Sequence, residues 1–232
     1  MPLPLSKALS LRAKGIPRSP KELEQSFRLL GVLRPIGFHQ SACQGMSLDG
    51  AGNPIPWWTF AANEWVKARI RKTDQVFEYG SGGSTLWLAA HAKSVVSVEH
   101  DEAWFEKTRP VLPPNAQVLL REAHDEFSSD VSGPYCSAIS ETEASFDIIV
   151  IDGMERNACA RLASRFLSPN GIIIFDNSHR SKYADGMNSL AKEGFWRLDL
   201  AGCVPARALT SIFGRSTERW LDASLAPEDY GT

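Results

Sequence analysis

Residues 76–89, VFEYGSGGSTLWLA, read as a buried strand, a glycine turn and the start of a helix. Working outward, the same alternation continues for most of the chain. Apolar runs at 75–79, 94–99, 116–120, 146–151 and 171–175 are each followed by a helical pattern, at 84–93, 103–109, 135–140, 156–166 and 183–193. A polar insert precedes the third of these helices. After the fourth run, Cys159, Leu162, Ala163 and Phe166 recur at i, i+3, i+4 and i+7, one face of a helix. Continuous apolar strands fit a parallel sheet covered on both faces. The end differs: GFWRLDLAG and ALTSIFGRS are strand-like runs with no helix-length segment between them, so an antiparallel pair at one edge is expected. The expected fold is α/β, a doubly wound and mostly parallel seven-stranded sheet with an antiparallel terminal strand.

Upstream, SPKELEQSFRLLGVL predicts a helix with Ser19 as N-cap, Pro20 at the first helical position, and Leu23, Phe27 and Leu30 on one face. A polar, glycine-rich loop is expected over 38–54, then a helix from about Thr59 that delivers the chain to the first strand. Trp57 and Trp58 just before it are read as core cover in preference to a ligand flap. These signals divide the chain into an N-terminal arm with helices and possible lid (1–70), a central domain (71–218) and a peripheral tail (219–232). The first twenty residues carry bases and no acid, as transit peptides do. They lack an apolar core and cleavage site, so an extended arm is expected.

The 232 residues, with a formal charge of -2, create no field that would select nucleic acid or an anionic membrane. Cys43, Cys136, Cys159 and Cys203 are scattered without zinc-type spacing and read as reduced thiols of a cytoplasmic protein. No apolar run has the length of a membrane span.

Crossover connections gather the loops at the carboxyl ends of the strands around one crevice, and the glycine turn lies there. Counting from Gly80, Gly82 fits the dinucleotide fingerprint, but Thr85 stands where a third glycine is needed. No G-x-x-x-x-G-K-[ST] occurs, and GSGGS is not the G-x-S-x-G of hydrolases. Glu78, two residues before Gly80, puts a carboxylate at the mouth of the turn. That is unfavourable beside a pyrophosphate and suitable for an ammonium or sulfonium group. Glu99 ends the second strand nineteen residues after Gly80, where a carboxylate can accept from both hydroxyls of a ribose. S-adenosylmethionine (SAM) has an amino-acid end and a ribose in that order.

FEYGSGGST with VEHD resembles motif I and the following acid of class I SAM-dependent methyltransferases, and the later strands are similar to the rest of that fold. The resemblance covers roughly 75–215. It implies that Glu78, Tyr79, Gly80, Ser81, Gly82, Ser84 and Thr85 surround the amino-acid end of SAM, that Glu99 and His100 lie at the ribose, and that Glu122 and Ala123, with His124 nearby, approach the adenine. It also implies that the N-terminal segment, with Trp57, Trp58 and the 38–54 loop, covers the acceptor as a lid.

Methyl transfer is in-line displacement, so the remaining residues must position a nucleophile and, for oxygen or nitrogen acceptors, take a proton. Asp152 ends the fourth strand; Asp176 and Asn177 end the fifth and His179 follows. Asp152 is expected to serve both cofactor and chemistry. The Asp…Asp-Asn arrangement resembles the metal triad of catechol-type O-methyltransferases, which implies possible Mg²⁺; the other reading has Asp152 facing SAM or substrate directly and Asp176-Asn177 capping the next helix. His179 is a general base or a surface residue. The leading expectation is a methyltransferase acting on a small-molecule or sugar-like acceptor, at oxygen. An NAD-dependent oxidoreductase and a non-catalytic SAM-binding module are the alternatives. The acceptor and the oligomeric state are not readable from these residues.

Overall fold

In the computed structural model, residues 19–44, 47–142, 144–204 and 206–221 are described. Of the expected twenty-residue arm, residues 1–18 lie outside them. The chain divides into two compact units, 1–53 and 54–232.

In the first unit, helix α1 (Pro20–Leu33) starts directly after Ser19, whose carbonyl accepts from the Leu23 amide at 3.0 Å. Leu23 and Phe27 are exposed on it. Part of the expected 38–54 loop is helical: α2 (Phe38–Gln44) follows a turn at Gly37, whose φ of 84° suits glycine. Its polar composition conceals it in the sequence. Ser41 anchors it by donating to the Leu48 carbonyl at 3.1 Å and accepting from the Leu48 amide at 2.9 Å.

The second unit opens with α3 (Phe60–Lys67). Thr59 caps it, accepting from the Ala62 amide at 3.3 Å while donating to the Leu200 carbonyl at 3.0 Å. The alternating body follows as β1 (Gln75–Tyr79), α4 (Gly83–His91), β2 (Ser94–Glu99), α5 (Glu102–Thr108), β3 (Ala116–Leu120), α6 (Pro134–Ser137), β4 (Phe146–Ile151), α7 (Arg156–Ala163), β5 (Leu167–Asp176), α8 (Ala184–Lys192), β6 (Trp196–Val204) and β7 (Ala206–Gly214). The sheet order is β3-β2-β1-β4-β5-β7-β6. The first five strands are parallel; β7 runs antiparallel between β5 and β6, as expected of the terminal runs. Strand β5 starts earlier than its apolar run predicts, because Leu167 pairs with Phe146 ahead of a register shift that leads to Ile172 opposite Ile148.

Side chains alternate across the pleat, so each central strand feeds two cores. Phe77, Tyr79, Ile149, Ile151, Ile173 and Phe175 share one with α7 and α8 residues such as Cys159, Leu162 and Leu190. Val76, Ile148, Val150, Ile172 and Ile174 share the other with Trp58, Ala62, Val66, Leu88 and Trp220. Trp58 is thus core, while Trp57 is 44% exposed. The tail is not wholly peripheral: Trp220 is fully buried, stacks on Trp65 with ring centroids 5.9 Å apart and donates Nε1 to the Asn170 carbonyl at 2.5 Å. Among the described residues, no helix is long and apolar enough to cross a membrane.

Candidate active site

The glycine turn leaves β1 at its carboxyl end. Gly80 (φ 105°) and Gly82 (φ 145°) both adopt backbone conformations that side chains rarely tolerate. The Gly82 amide donates to Thr85 Oγ1 at 3.0 Å, which fixes the entry into α4. Tyr79 supports the turn from beneath: its carbonyl accepts from the Asp152 amide at 3.1 Å, and its buried ring points away from the crevice, where the hydroxyl donates to the Cys136 carbonyl at 2.8 Å.

Glu78 shares its strand face with Val76, so it points beneath α4 and is only 1% exposed. Its Oε2 accepts from Thr85 Oγ1 and Ser97 Oγ, each at 2.6 Å. Ser97 is the register partner of Glu78 on β2. Burial raises the Glu78 carboxyl to about 7 against the hydrogen bonds of Ser84, Ser97 and Thr85, with the Asp152 charge adding to the rise. A buried acid that ionises only near neutrality matches an ammonium group brought beside it.

Glu99 closes β2 with both carboxylate oxygens already oriented. Oε2 accepts from Ser81 Oγ at 2.7 Å, and Oε1 accepts from the His100 and Asp101 amides at 2.8 and 3.0 Å, with His100 Nδ1 at 2.9 Å. Oε1 carries three of these four contacts and Oε2 only one, so Oε2 keeps a lone pair for a ribose hydroxyl entering the cavity. Asp101 then caps α5 by accepting from the Trp104 amide at 2.8 Å, and the Trp104 indole returns over the turn to donate to the Ser81 carbonyl at 2.9 Å.

These groups surround one cavity of about 320 Å³, lined by Glu78, Gly80, Ser81, Ser84, Glu99, His100, Asp101, Trp104, Asp152 and Gly153. The structure thus brings seven residues singled out in the sequence into one space. Tyr79, Gly82 and Thr85 shape it from behind. Glu122 is exposed and Ala123 packs against the core, and neither lines the cavity. Nor does His179, which is exposed on the surface.

Three lining residues escaped sequence reading: Asp101, Trp104 and Gly153. Trp104 lies inside the 103–109 helical pattern, which carries no sign of a ligand, and only the folded path of α5 places it over the glycines. Gly153 is dictated by close packing, since a Cβ there would lie 1.9 Å from Tyr135 Oη and 2.9 Å from the Gly80 amide nitrogen.

On the far side, Asp152 stands at the end of β4. Burial and the Asp176 charge raise its carboxyl to about 7, opposed by Arg156 and the Trp58 indole. Arg156, at the start of α7, is the other residue that the sequence did not single out. Its Nη2 donates to Asp152 Oδ1 at 3.0 Å and to the Asp152 carbonyl at 2.9 Å. The Asp176 and Asn177 side chains are turned to each other: Asn177 Nδ2 donates to Asp176 Oδ2 at 2.5 Å, and Asp176 Oδ1 accepts from Thr210 Oγ1 at 2.7 Å. The expected Mg²⁺ triad is therefore not an open set of oxygen ligands. Among the described residues, no group of three or more His, Cys, Asp or Glu side chains is placed to hold a metal ion.

The comparisons agree with this geometry. Residues 77–178 match the sequence model of a family described as a methyltransferase domain. Among curated proteins no match is found. Precorrin-6y C5,15-methyltransferase from Geobacter metallireducens is similar in structure, with 13% identity, a TM-score of 0.50, and 68% of this chain and 88% of that chain covered. Spermidine synthase from Thermotoga maritima is similar at 11% identity and a TM-score of 0.51, over 74% of this chain and 64% of that one. At such identities the likeness concerns the fold, a mostly parallel Rossmann-like sheet. The family match spans the glycine turn, Glu78 and Glu99, so residues 77–178 match a methyltransferase domain and the whole sheet has the Rossmann-like fold of the methyltransferase it resembles.

Proposed function

We propose that the protein transfers a methyl group to a hydroxyl oxygen of a small, sugar-like or otherwise polar molecule, with Asp152 as the proton acceptor. The observation that carries this reading is the position of Asp152, which lines the same cavity as Glu78 and Glu99. A carboxyl raised to about 7 matches the task of a general base at neutral pH.

The residues divide the work. Glu78 and the turn at Gly80–Ser84 would hold the amino-acid end of SAM, and Glu99, oriented by Ser81, would hold the ribose. Trp104 shields the turn from solvent. When bound, SAM supplies a methyl group on a cationic sulfur, and S-adenosylhomocysteine (SAH) is the product. Asp152 takes the acceptor proton as its oxygen becomes the nucleophile. The weak net charge supports a small acceptor in preference to nucleic acid. The unpaired thiols of Cys43, Cys136 and Cys159 support a cytoplasmic setting.

The test is calorimetric titration with SAH, followed by transfer of labelled methyl from SAM to a panel of hydroxyl-, amine- and thiol-bearing acceptors. Transfer to oxygen that Asp152→Asn abolishes, with SAH affinity largely kept, supports the reading. Transfer only to nitrogen or sulfur overturns the choice of acceptor atom. Absence of SAH binding by folded protein overturns the reading itself.

A further inference from the structure

The ends of β4 and β5 meet at a corner where two carboxylates and several backbone carbonyls come together. Such a place needs a cation, because buried anions and carbonyls left without donors are costly. The chain supplies one. Arg156 is 7% exposed and inserts its guanidinium between the strand ends. Its Nε donates to the Gly153 carbonyl at 2.9 Å, Nη1 to the Asp176 carbonyl at 2.6 Å, and Nη2 to both the carbonyl and Oδ1 of Asp152. Its charge also lies 5.0 Å from the centre of the Tyr183 ring. Burial would lower its pKa, but the charges around it outweigh burial and raise it, so it stays cationic.

We infer that the Asp152–Asp176–Asn177 corner is a built-in guanidinium site and not a divalent-cation site, with Arg156 as the positioning residue that holds Asp152 toward the cavity. Three features lead here. The planar fork of arginine serves three carbonyls and a carboxylate oxygen at two strand ends from three separate nitrogens, four bonds where a lysine ammonium has three N–H groups on one atom. Asp176 spends its two oxygens on Thr210 and Asn177, and Asn177 uses its amide nitrogen there. A divalent ion at this corner would have to bind beside a fixed positive charge and displace those bonds. The inference deepens the methyl-transfer reading, and its consequence for Asp152 rests on that reading: the acceptor is oriented by Asp152, which Arg156 holds in place, and its proton is lost without metal assistance.

The experiment is titration of the full chain with Mn²⁺, followed by loss of the free-ion electron paramagnetic resonance signal, without cofactor. Because no SAH is needed, failure here is distinct from failure of SAH binding. The wild type is expected to leave the Mn²⁺ signal free to about 1 mM, well above the range of a resident divalent site. Arg156→Gln, which keeps a polar side chain and removes the charge, is expected to take up Mn²⁺ at least about tenfold more tightly, since two carboxylates are left uncompensated. Adding Asp176→Asn should reverse that gain. Loss of a merely structural arginine would not create a metal site. Stoichiometric Mn²⁺ uptake by the wild type below about 100 µM overturns the inference, as does an Arg156→Gln variant with native circular dichroism and no gain. Should Arg156→Gln not fold, the wild-type titration decides alone.

Discussion

Ser81 Oγ donates to Glu99 Oε2 at 2.7 Å, tying the centre of the glycine turn to the acid that ends the neighbouring strand. The two parts of the cofactor crevice are thereby one rigid piece. Glu99 cannot rotate freely to meet a ribose; it is already held from three directions, by Ser81 and by the amides of His100 and Asp101.

Removing the carboxylate should cost more than removing the tie. Hydrogen bonds to a charged group contribute about 1.5–3 kcal/mol, or roughly 10- to 150-fold in affinity. Glu99→Ala is expected to weaken SAH by that amount or more in calorimetric titration. Ser81→Ala leaves the acceptor present but less oriented, and about three- to tenfold is expected, from one net hydrogen bond of about 1 kcal/mol. Equal effects would show that orientation and not charge dominates.

Glu78 predicts a pH dependence. Its folded pKa is raised from 4.5 to about 7 by burial, so the native state holds the proton more tightly than the unfolded chain. Its contribution to stability is complete below about pH 4.5 and is lost as pH rises through about 7, by about 3 kcal/mol in all. Binding has the opposite sign. The ammonium of SAH favours ionised Glu78, so affinity should rise with pH up to about 7 and then level. Titrations at pH 6 in buffers of different ionisation enthalpy should show a proton released, and Glu78→Gln should remove it. An affinity flat across pH 5.5–7.5 in the wild type would exclude Glu78 as the ammonium partner.

Trp104 is 46% exposed, yet its indole N–H is fixed to the Ser81 carbonyl and its ring would lie 3.4 Å from a Cβ at Gly82. A ligand entering the cavity must alter its surroundings. SAH should change the tryptophan emission of the wild type, and Trp104→Phe should lose most of that change. Loss of the aromatic wall in Trp104→Ala should weaken SAH by about three- to tenfold, the worth of one aromatic contact.

The contrast between Glu78 and Arg156 explains what was legible. Glu78, Gly80 and Glu99 are read from sequence because a turn and two strand ends fix their mutual positions through local rules. The antiparallel β6–β7 pair was legible for the same reason, since adjacent apolar runs without a helix between them have few ways to pair. Arg156 was missed because a basic residue at the first turn of an amphipathic helix ordinarily faces water. Nothing local tells that Asp176, twenty residues on, delivers a carbonyl to it. The choice between the two readings of Asp152, Asp176 and Asn177 was open on the same ground: the residue types fit a metal triad, but the partners that occupy their oxygens include Thr210 and Arg156, which no local pattern reveals. Helix α2 was hidden by its polar composition, which carries almost no periodic signal.

The last prediction concerns the chain end. Trp220 is sealed beneath the sheet, stacked on Trp65 of α3 and bonded through its indole to Asn170, in the register-shifted part of β5. Beside it, Arg219 forms an ion pair with the buried Asp74 and donates to the Arg69 carbonyl at 3.2 Å. Two residues therefore fasten α3, the turn before β1 and the start of the β5 core run. Replacing a buried tryptophan by alanine costs about 3–5 kcal/mol, and each kcal/mol shifts Tm by about 2–4 °C at this size. Trp220→Ala is expected to lower Tm by about 6–20 °C in a thermal melt. Because the cavity is built from β1, β2 and β4, protein kept below its lowered transition should bind SAH within about twofold of the wild type, as additive, distant sites do. A large fall in affinity with little change in Tm would show instead that the tail acts on the site and not on the core.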